Sequence, residues 1–259
     1  MNIAISRELS KYMRYKLTVE YDGKNYFGFQ KQIDCINKTI EGVLEDAVFK
    51  LTNERVKIIA SGRTDAGVHA SGQVIHFDLE KDFDDYKFMM GMNNFLREEE
   101  ISILNCQKVD ENFHARFSAK SRHYRYRIIN RRAPLTFQKN HSWHFFAEDL
   151  DVELMKEAAK FLIGEHDFSS FRDAQCQATS TIRNIDKIEI TQNGDEILID
   201  VSAKSFLHHM VRNIVGTLTW VGSKKILPIE MKEILEACDR TKSGPNAPAF
   251  GLYFLRVDY

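Results

Sequence analysis

The residue most open to chemistry is Asp65. It lies in IIASGRTDAGVHASGQVIHF (58–77), behind an arginine, in a glycine-studded loop that runs straight into an alternating segment. A lone aspartate there admits two readings. It is an ordinary turn residue, since Asp and Gly are what turns use, or it is a carboxylate mounted on a loop to act at a glycosidic-type carbon. A second candidate is Arg212, which stands among Leu207, Met210, Val211, Ile214, Val215 and Leu218. An arginine in such company either carries its charge out to water or pairs with a carboxylate near the core. Its neighbours His208 and His209 raise a metal reading. Adjacent residues on a helix diverge by about 100°, and no H-E-x-x-H spacing occurs, so packing or solvent roles are expected for both.

Other chemistries lack their signatures. There is no G-x-x-x-x-G-K-[ST], no G-x-G-x-x-G and no G-x-S-x-G, so a phosphate-cradling loop, a dinucleotide fingerprint and a serine-nucleophile elbow are absent. The cysteines Cys35, Cys106, Cys176 and Cys238 lie far apart with no C-x-x-C. That spacing argues against a zinc ribbon or a disulfide scaffold and for reduced thiols in a reducing compartment.

The net charge of −1 gives no support for a polyanionic partner unless the cations are concentrated locally. They are, along the chain. HARFSAKSRHYRYRIINRR (114–132) holds seven Lys/Arg and no acid, and 203–225 also lacks acids, while EKDFDD (80–85), REEE (97–100) and AEDLDVE (147–153) collect them. On a strand, Arg122, Tyr124, Tyr126 and Ile128 share one face and His123, Arg125, Arg127 and Ile129 the other. The strip could offer cations to phosphates and a ring to a base, or be a half-buried strand with a solvated basic face.

The elements that must position these residues follow from periodicity. Strands are expected at 15–21, 55–60, 73–79, 101–109, 121–129, 185–191, 196–204 and 252–258, with QNGD marking a hairpin between two of them. Helices are expected from Thr39 to Leu51, over 84–96, over 151–164 with acids at its start and Gly164 at its end, over 207–221 and over 228–238. Interspersed strands and helices without regular alternation indicate an α+β fold, a mainly antiparallel mixed sheet with flanking helices. With 259 residues, 43% hydrophobic and 28% charged, the chain can bury a substantial core in one or two domains. No apolar run approaches the roughly 20 residues a membrane helix needs, and MNIAISRELSKY lacks a signal peptide's apolar core. A cytoplasmic protein is expected, with residues 1–13 a frayed extension or a consequence of start-codon choice.

From about Arg14 to Tyr259 the sequence resembles the tRNA pseudouridine synthase A family. GRTDAGVHA (62–70) is similar to its active-site signature, and YDGKNYFGFQKQ (21–32), ARFSAKSRHYRY (115–126), HDFSSF (166–171), FLHHMVRNIVG (206–216) and GPNAPAFGLYF (244–254) resemble its other signatures, in order. The resemblance implies two similar α/β subdomains, 14–130 and 131–259, forming the pseudouridine synthase fold with a central cleft. It implies that Asp65 is the catalytic aspartate and Arg212 the arginine that pairs with it. Tyr124 would pack on the target uracil and be placed to handle its proton, Leu252 would floor the pocket, and Arg63 would help displace the target base. It further implies uridines at positions 38, 39 and 40 of the tRNA anticodon stem-loop as substrate, a homodimer, and no cofactor or metal. Phe29 replaces a usual tryptophan and His208 a frequent tyrosine, departures that bear on fit at the pocket rim.

The implied reaction suits these residue types. Breaking the bond from uracil N1 to ribose C1′ and rejoining the base through C5 is an isomerisation. A carboxylate can add to C1′, stabilise its developing charge or abstract the 2′ proton; the sequence does not choose. Each role requires Asp65 ionised in a closed pocket, where burial raises its pKa and Arg212 opposes the rise. The flipped base must be compensated for lost stacking, which suits Tyr124 and Arg63. Two other classes stay open on sequence alone: a non-catalytic tRNA-binding protein or RNA chaperone on the same scaffold, and a carboxylate-dependent nucleoside hydrolase.

Overall fold

The computed structural model describes residues 12–31, 38–174, 176 and 178–259. Cys35 and residues 1–11 of the expected extension lie outside them. Strand β1 (Met13–Tyr21) reaches back to Met13, which pairs with Leu79. Its alternation settles its faces: Tyr15, Leu17, Val19 and Tyr21 are buried while Arg14, Lys16 and Thr18 are partly exposed.

The order continues with α1 (Ile40–Thr52), β2 (Ile59–Ala60), β3 (His69–Leu79), α2 (Asp85–Phe95), β4 (Ile101–Val109), β5 (Ser121–Asn130), β6 (Trp143–Phe145), α3 (Val152–Ala159), β7 (Gly164–Asp167), β8 (Ile182–Asn193), β9 (Glu196–Ala203), α4 (Met210–Gly222), α5 (Glu230–Glu236) and β10 (Leu252–Asp258). Helix starts are chemically marked. The side chains of Thr39, Asp84 and Asp151 accept from the backbone N–H groups of Gly42, Lys87 and Leu154, meeting donors the first turn leaves free.

The strands form one sheet in the order β4-β1-β3-β10-β5-β9-β8-β7, with β2 on β3 and β6 on β5. Pairing is antiparallel except where β10 runs parallel to β3 and β6 parallel to β5. This is the α+β architecture and mainly antiparallel sheet expected. The last strand therefore inserts between β3 and β5, bringing the chain's final segment beside the loop that carries Asp65. α1 packs with α2, and α3 with α4 and α5, closing one continuous apolar core.

Three local expectations change. The helix expected over 207–221 begins only at Met210, because His209 takes a left-handed conformation (φ 59°). The helix expected over 151–164 stops at Ala159, tightens into a 3-10 turn at Lys160–Leu162, and gives way to β7 at Gly164 (φ 102°). Of the expected strand 55–60, only Ile59–Ala60 pairs. Among the described residues no helix is long and apolar enough to cross a membrane, and Cys106, Cys176 and Cys238 are free thiols.

Candidate active site

The loop between β2 and β3 is gripped from behind. Gln73, fully buried, accepts from the Ser61 hydroxyl (2.6 Å) and donates to Gly62 O (2.9 Å). Arg122, 7% exposed, donates to Ser61 O at 2.9 and 2.7 Å and to the carbonyls of Arg116 and Lys204. The Thr64 hydroxyl meets Tyr21 OH at 2.7 Å, and Phe29 N–H donates to Thr64 O at 3.0 Å. The turn closes through Val68 N–H on Asp65 O (3.1 Å), with Gly67 at φ 81°, a region glycine enters without a Cβ penalty. Asp65 thus sits on a short loop held on both flanks.

Its carboxylate meets three cationic or ionisable side chains. Arg212 Nη1 donates to Oδ2 at 2.9 Å. His209 Nε2 lies 3.2 Å from Oδ2, and His208 Nε2 lies 3.4 Å from Oδ1. Arg212 is itself aimed by Ala247 O, which accepts from its Nε at 2.7 Å. Asp65 stays a quarter exposed and Arg212 13% exposed, so the carboxylate is reachable from outside. Burial pushes the Asp65 carboxyl up, but the hydrogen bonds from His208 and His209, the His209 charge and Arg212 outweigh it and hold it well below the ordinary carboxylate range. Ionisation at neutral pH is secured.

Tyr124, from β5, is nearly buried and stands edge-on to Phe206 and Phe254, at ring distances of 5.1 and 4.9 Å. Its hydroxyl lies close to Gly62, where an added Cβ would be 3.7 Å away. Burial above all, then Tyr21, raises its phenol above the ordinary range; Arg122 opposes the rise and Asp65 adds a lesser push upward. Leu252, buried, opens β10 opposite Tyr126. Arg63 is exposed on the loop's outer side. The fold thus gathers Asp65, Arg212 and Tyr124 at one end of the β3/β10/β5 pairing, with Leu252 at its edge and Arg63 on the surface beside it.

Two sequence readings are refined. His208 and His209 precede the helix instead of riding on it. The left-handed turn at His209 brings their rings to 3.9 Å and both toward Asp65, so neither is a packing residue, and His208 alone keeps an exposed face, at 40%. The basic strip divides into faces as expected, but three of its outward cations are already matched, while Arg116, Lys120 and Arg132 stay exposed. Arg125 forks onto Asp200 (2.7 and 2.7 Å), Arg127 onto Glu196 (2.9 and 2.7 Å), and Arg131 reaches Asp195 (2.8 Å). Charges segregated along the chain interleave on the surface.

Among the described residues, two clusters have the spacing to hold an ion, Asp65/His208/His209 and Asp22/His69/His141. In the first, Arg212 already supplies the positive charge. In the second, His69 Nδ1 accepts from Gly23 N–H (3.1 Å), and its Nε2 lies 3.0 and 3.2 Å from the carbonyls of Asn140 and Phe250. His69 is therefore a clip joining three chain segments, with no lone pair to spare. The sequence reading overlooked Asp173, Gln73 and the inward grip of Arg122. None lies at a diagnostic spacing; only Arg122, on the apolar face of its strand, carried a visible hint.

The model of a tRNA pseudouridine synthase family matches this chain twice, over residues 17–118 and 158–259. The chain belongs to the tRNA pseudouridine synthase family. Its two matched segments fit that family's fold of two subdomains. The chain is 51% identical over 247 residues to tRNA pseudouridine synthase A of Wolbachia pipientis wMel, covering 95% of this chain and all of that relative. It is 50% identical to the protein of that name from Ehrlichia canis (strain Jake), with the same coverage. It is 47% identical to that of Rhodospirillum rubrum, covering 95% of this chain and 88% of the relative.

Proposed function

We propose that this chain isomerises uridine to pseudouridine in tRNA, at positions 38, 39 and 40 of the anticodon stem-loop, with Asp65 as the catalytic carboxylate. The observation that carries the reading is the ionised, quarter-exposed Asp65 side chain on a braced loop, fixed by Arg212 from a helix 147 residues along the chain. The two subdomains, 14–130 and 131–259, supply these partners separately, so the site lies where they meet.

The chemistry follows from the geometry. The target uridine leaves its stack at a cost of a few kcal/mol, which Tyr124 and an arginine from the exposed Arg63 position offset by stacking and by filling the vacated space. Asp65 acts at the ribose as the N1–C1′ bond breaks. The freed base turns within a pocket floored by Leu252 and rejoins through C5. The C5 proton must then leave and N1 gain one; burial keeps the Tyr124 phenol protonated, so it can give its own proton to N1 and take the C5 proton in exchange once the base is seated. The active form is a homodimer, which sedimentation at micromolar concentration checks.

Unmodified tRNA transcripts with uridine at positions 38, 39 and 40, treated with wild type or with Asp65→Asn and mapped by carbodiimide labelling and primer extension, test the whole reading. Stops at those uridines with wild type alone are expected. Binding without stops would leave a tRNA chaperone, and release of free uracil a hydrolase.

A further inference from the structure

The carboxylate of Asp65 has a second line of support besides Arg212. His209 adopts φ 59° and ψ 5°, a conformation that costs a non-glycine residue on the order of 1–3 kcal/mol and persists where its surroundings over-determine it. They do so here. Asp173 N–H donates to His208 O at 3.1 Å, Asn213 N–H to His209 O at 2.9 Å, and Met210 N–H to Leu207 O at 3.1 Å. The consequence is a ring with each nitrogen facing a carboxylate: Nδ1 is 2.7 Å from Asp173 Oδ2, and Nε2 is 3.2 Å from Asp65 Oδ2.

An ionised carboxylate only accepts. A ring between two of them satisfies both contacts only with a proton on each nitrogen, that is, as the imidazolium. The charges then balance, with Asp65 and Asp173 against His209 and Arg212. Arg212 and His209 both converge on Oδ2 of Asp65. Oδ1 has His208 as its neighbour at 3.4 Å and is the oxygen left for a substrate.

We propose that Asp173 and His209 form a positioning relay, in which Asp173 orients a doubly protonated His209 that locks Asp65 by Oδ2 and presents Oδ1 to the ribose. The inference rests on Asp65 being the reacting group of the proposed function. The groups facing the His209 ring are Asp65 from the β2–β3 loop, Asp173 from the 172–174 segment, Arg212 from α4, the adjacent His208, and the neutral Asn246 amide at 3.2 Å from the 244–248 segment. The Asp65 hydrogen bond is the largest influence and raises its proton affinity; burial and Arg212 work against it, and the balance is a raised value.

The test has two arms. In the first, histidine ring protons of the full chain are followed by NMR against pH in wild type and Asp173→Asn. His209 is expected to titrate above the ordinary histidine range in wild type and to shift downward by about one unit or more on losing its carboxylate neighbour. A wild-type His209 that titrates as an ordinary histidine overturns the relay, and this arm depends neither on a variant folding nor on turnover. In the second, single-turnover pseudouridine formation is measured against pH at saturating tRNA. The wild-type rate is expected to decline on the alkaline side in step with His209. The Asp173→Asn decline should move to lower pH, leaving that variant about tenfold or more slower near pH 8 with tRNA affinity unchanged. A shifted His209 titration beside an unshifted rate profile refutes the positioning role. Failure of wild type to make any pseudouridine refutes the proposed function instead and leaves the relay to the NMR arm, which decides it.

Discussion

Gly216→Ala inverts the sign that helix propensity predicts. Replacing a glycine inside a helix with alanine ordinarily stabilises by about 1 kcal/mol. At Gly216, in the middle of α4, a Cβ would stand 1.7 Å from Pro245 O and 2.9 Å from Pro245 C. An ordinary carbon–oxygen contact is about 3.3 Å, so the helix and the 244–248 segment must part by about 1.6 Å. Arg212 lies one turn earlier on the same helix face, and the segment displaced is the one holding it: Ala247 O accepts from Arg212 Nε at 2.7 Å, and Ala247 N–H donates to Arg212 O at 3.2 Å. Overpacking costs about 1–3 kcal/mol and a lost charge-assisted hydrogen bond about 1.5–3 kcal/mol. Against the propensity gain, a net loss of about 1.5–5 kcal/mol remains, a drop in Tm on the order of 10 °C. Because Arg212 aims Asp65, the single-turnover rate should fall about a hundredfold, the scale of a 1 Å misplacement. Thermal melting by circular dichroism and a single-turnover tRNA assay read both numbers. A variant that melts at or above wild type and keeps its rate would refute the argument that the close approach aims the arginine.

Three further outcomes follow from the same geometry. Arg212→Lys keeps the charge but loses the fork that serves Ala247 O and Asp65 together, so kcat should fall about 10- to 100-fold with tRNA affinity nearly unchanged; a wild-type rate would show that charge alone suffices. Arg125→Ala removes a cation already committed to Asp200, so the salt dependence of tRNA binding should hold its slope, whereas a slope reduced by about one would reveal a phosphate contact. His76 is buried, and burial, Arg14 and His114 push its imidazole down to about 4. The unfolded chain therefore binds the proton more readily, so the neutral His76 contributes stability above about pH 6.5 that is lost as pH falls toward 4, up to on the order of 3 kcal/mol. His76→Asn, which can still accept from Ala115 N–H as His76 Nδ1 does at 3.1 Å, should lose less stability than wild type between pH 7 and 4.5 in urea titrations. Equal losses would count against a buried neutral histidine.

Some of this molecule is legible residue by residue. Alternation divides β1, β5 and β9 into two faces each, because a strand's side chains alternate whatever the rest of the chain does, and in each strand one of the two is buried. The capped starts of α1, α2 and α3 were readable for the same reason, since a cap bonds to residues two or three positions away. The loop 61–68 stood out as unusual through its glycines and its single carboxylate. The helix start at 210 was not legible: the apolar stripe continues back to Leu207, and the bond from distant Asp173 N–H to His208 O is among those that fix the backbone turning His209 out of the helix.

The sequence by itself thus determined the elements, the α+β class, and which aspartate and which arginine were out of place among their neighbours. Period, capping and composition act over a few residues, so they are written locally. The pairing of Asp65 with Arg212 across 147 residues was implied by the family resemblance and not by either residue's neighbours; tertiary structure alone decided that β10 inserts beside the β2–β3 loop, that the cations of β5 are spent on Asp200 and Glu196, and that His209 stands between two carboxylates. Those outcomes depend on which surfaces the sheet order brings within hydrogen-bond distance, and a hydrogen bond's steep distance dependence leaves no trace of that choice in either partner's local sequence.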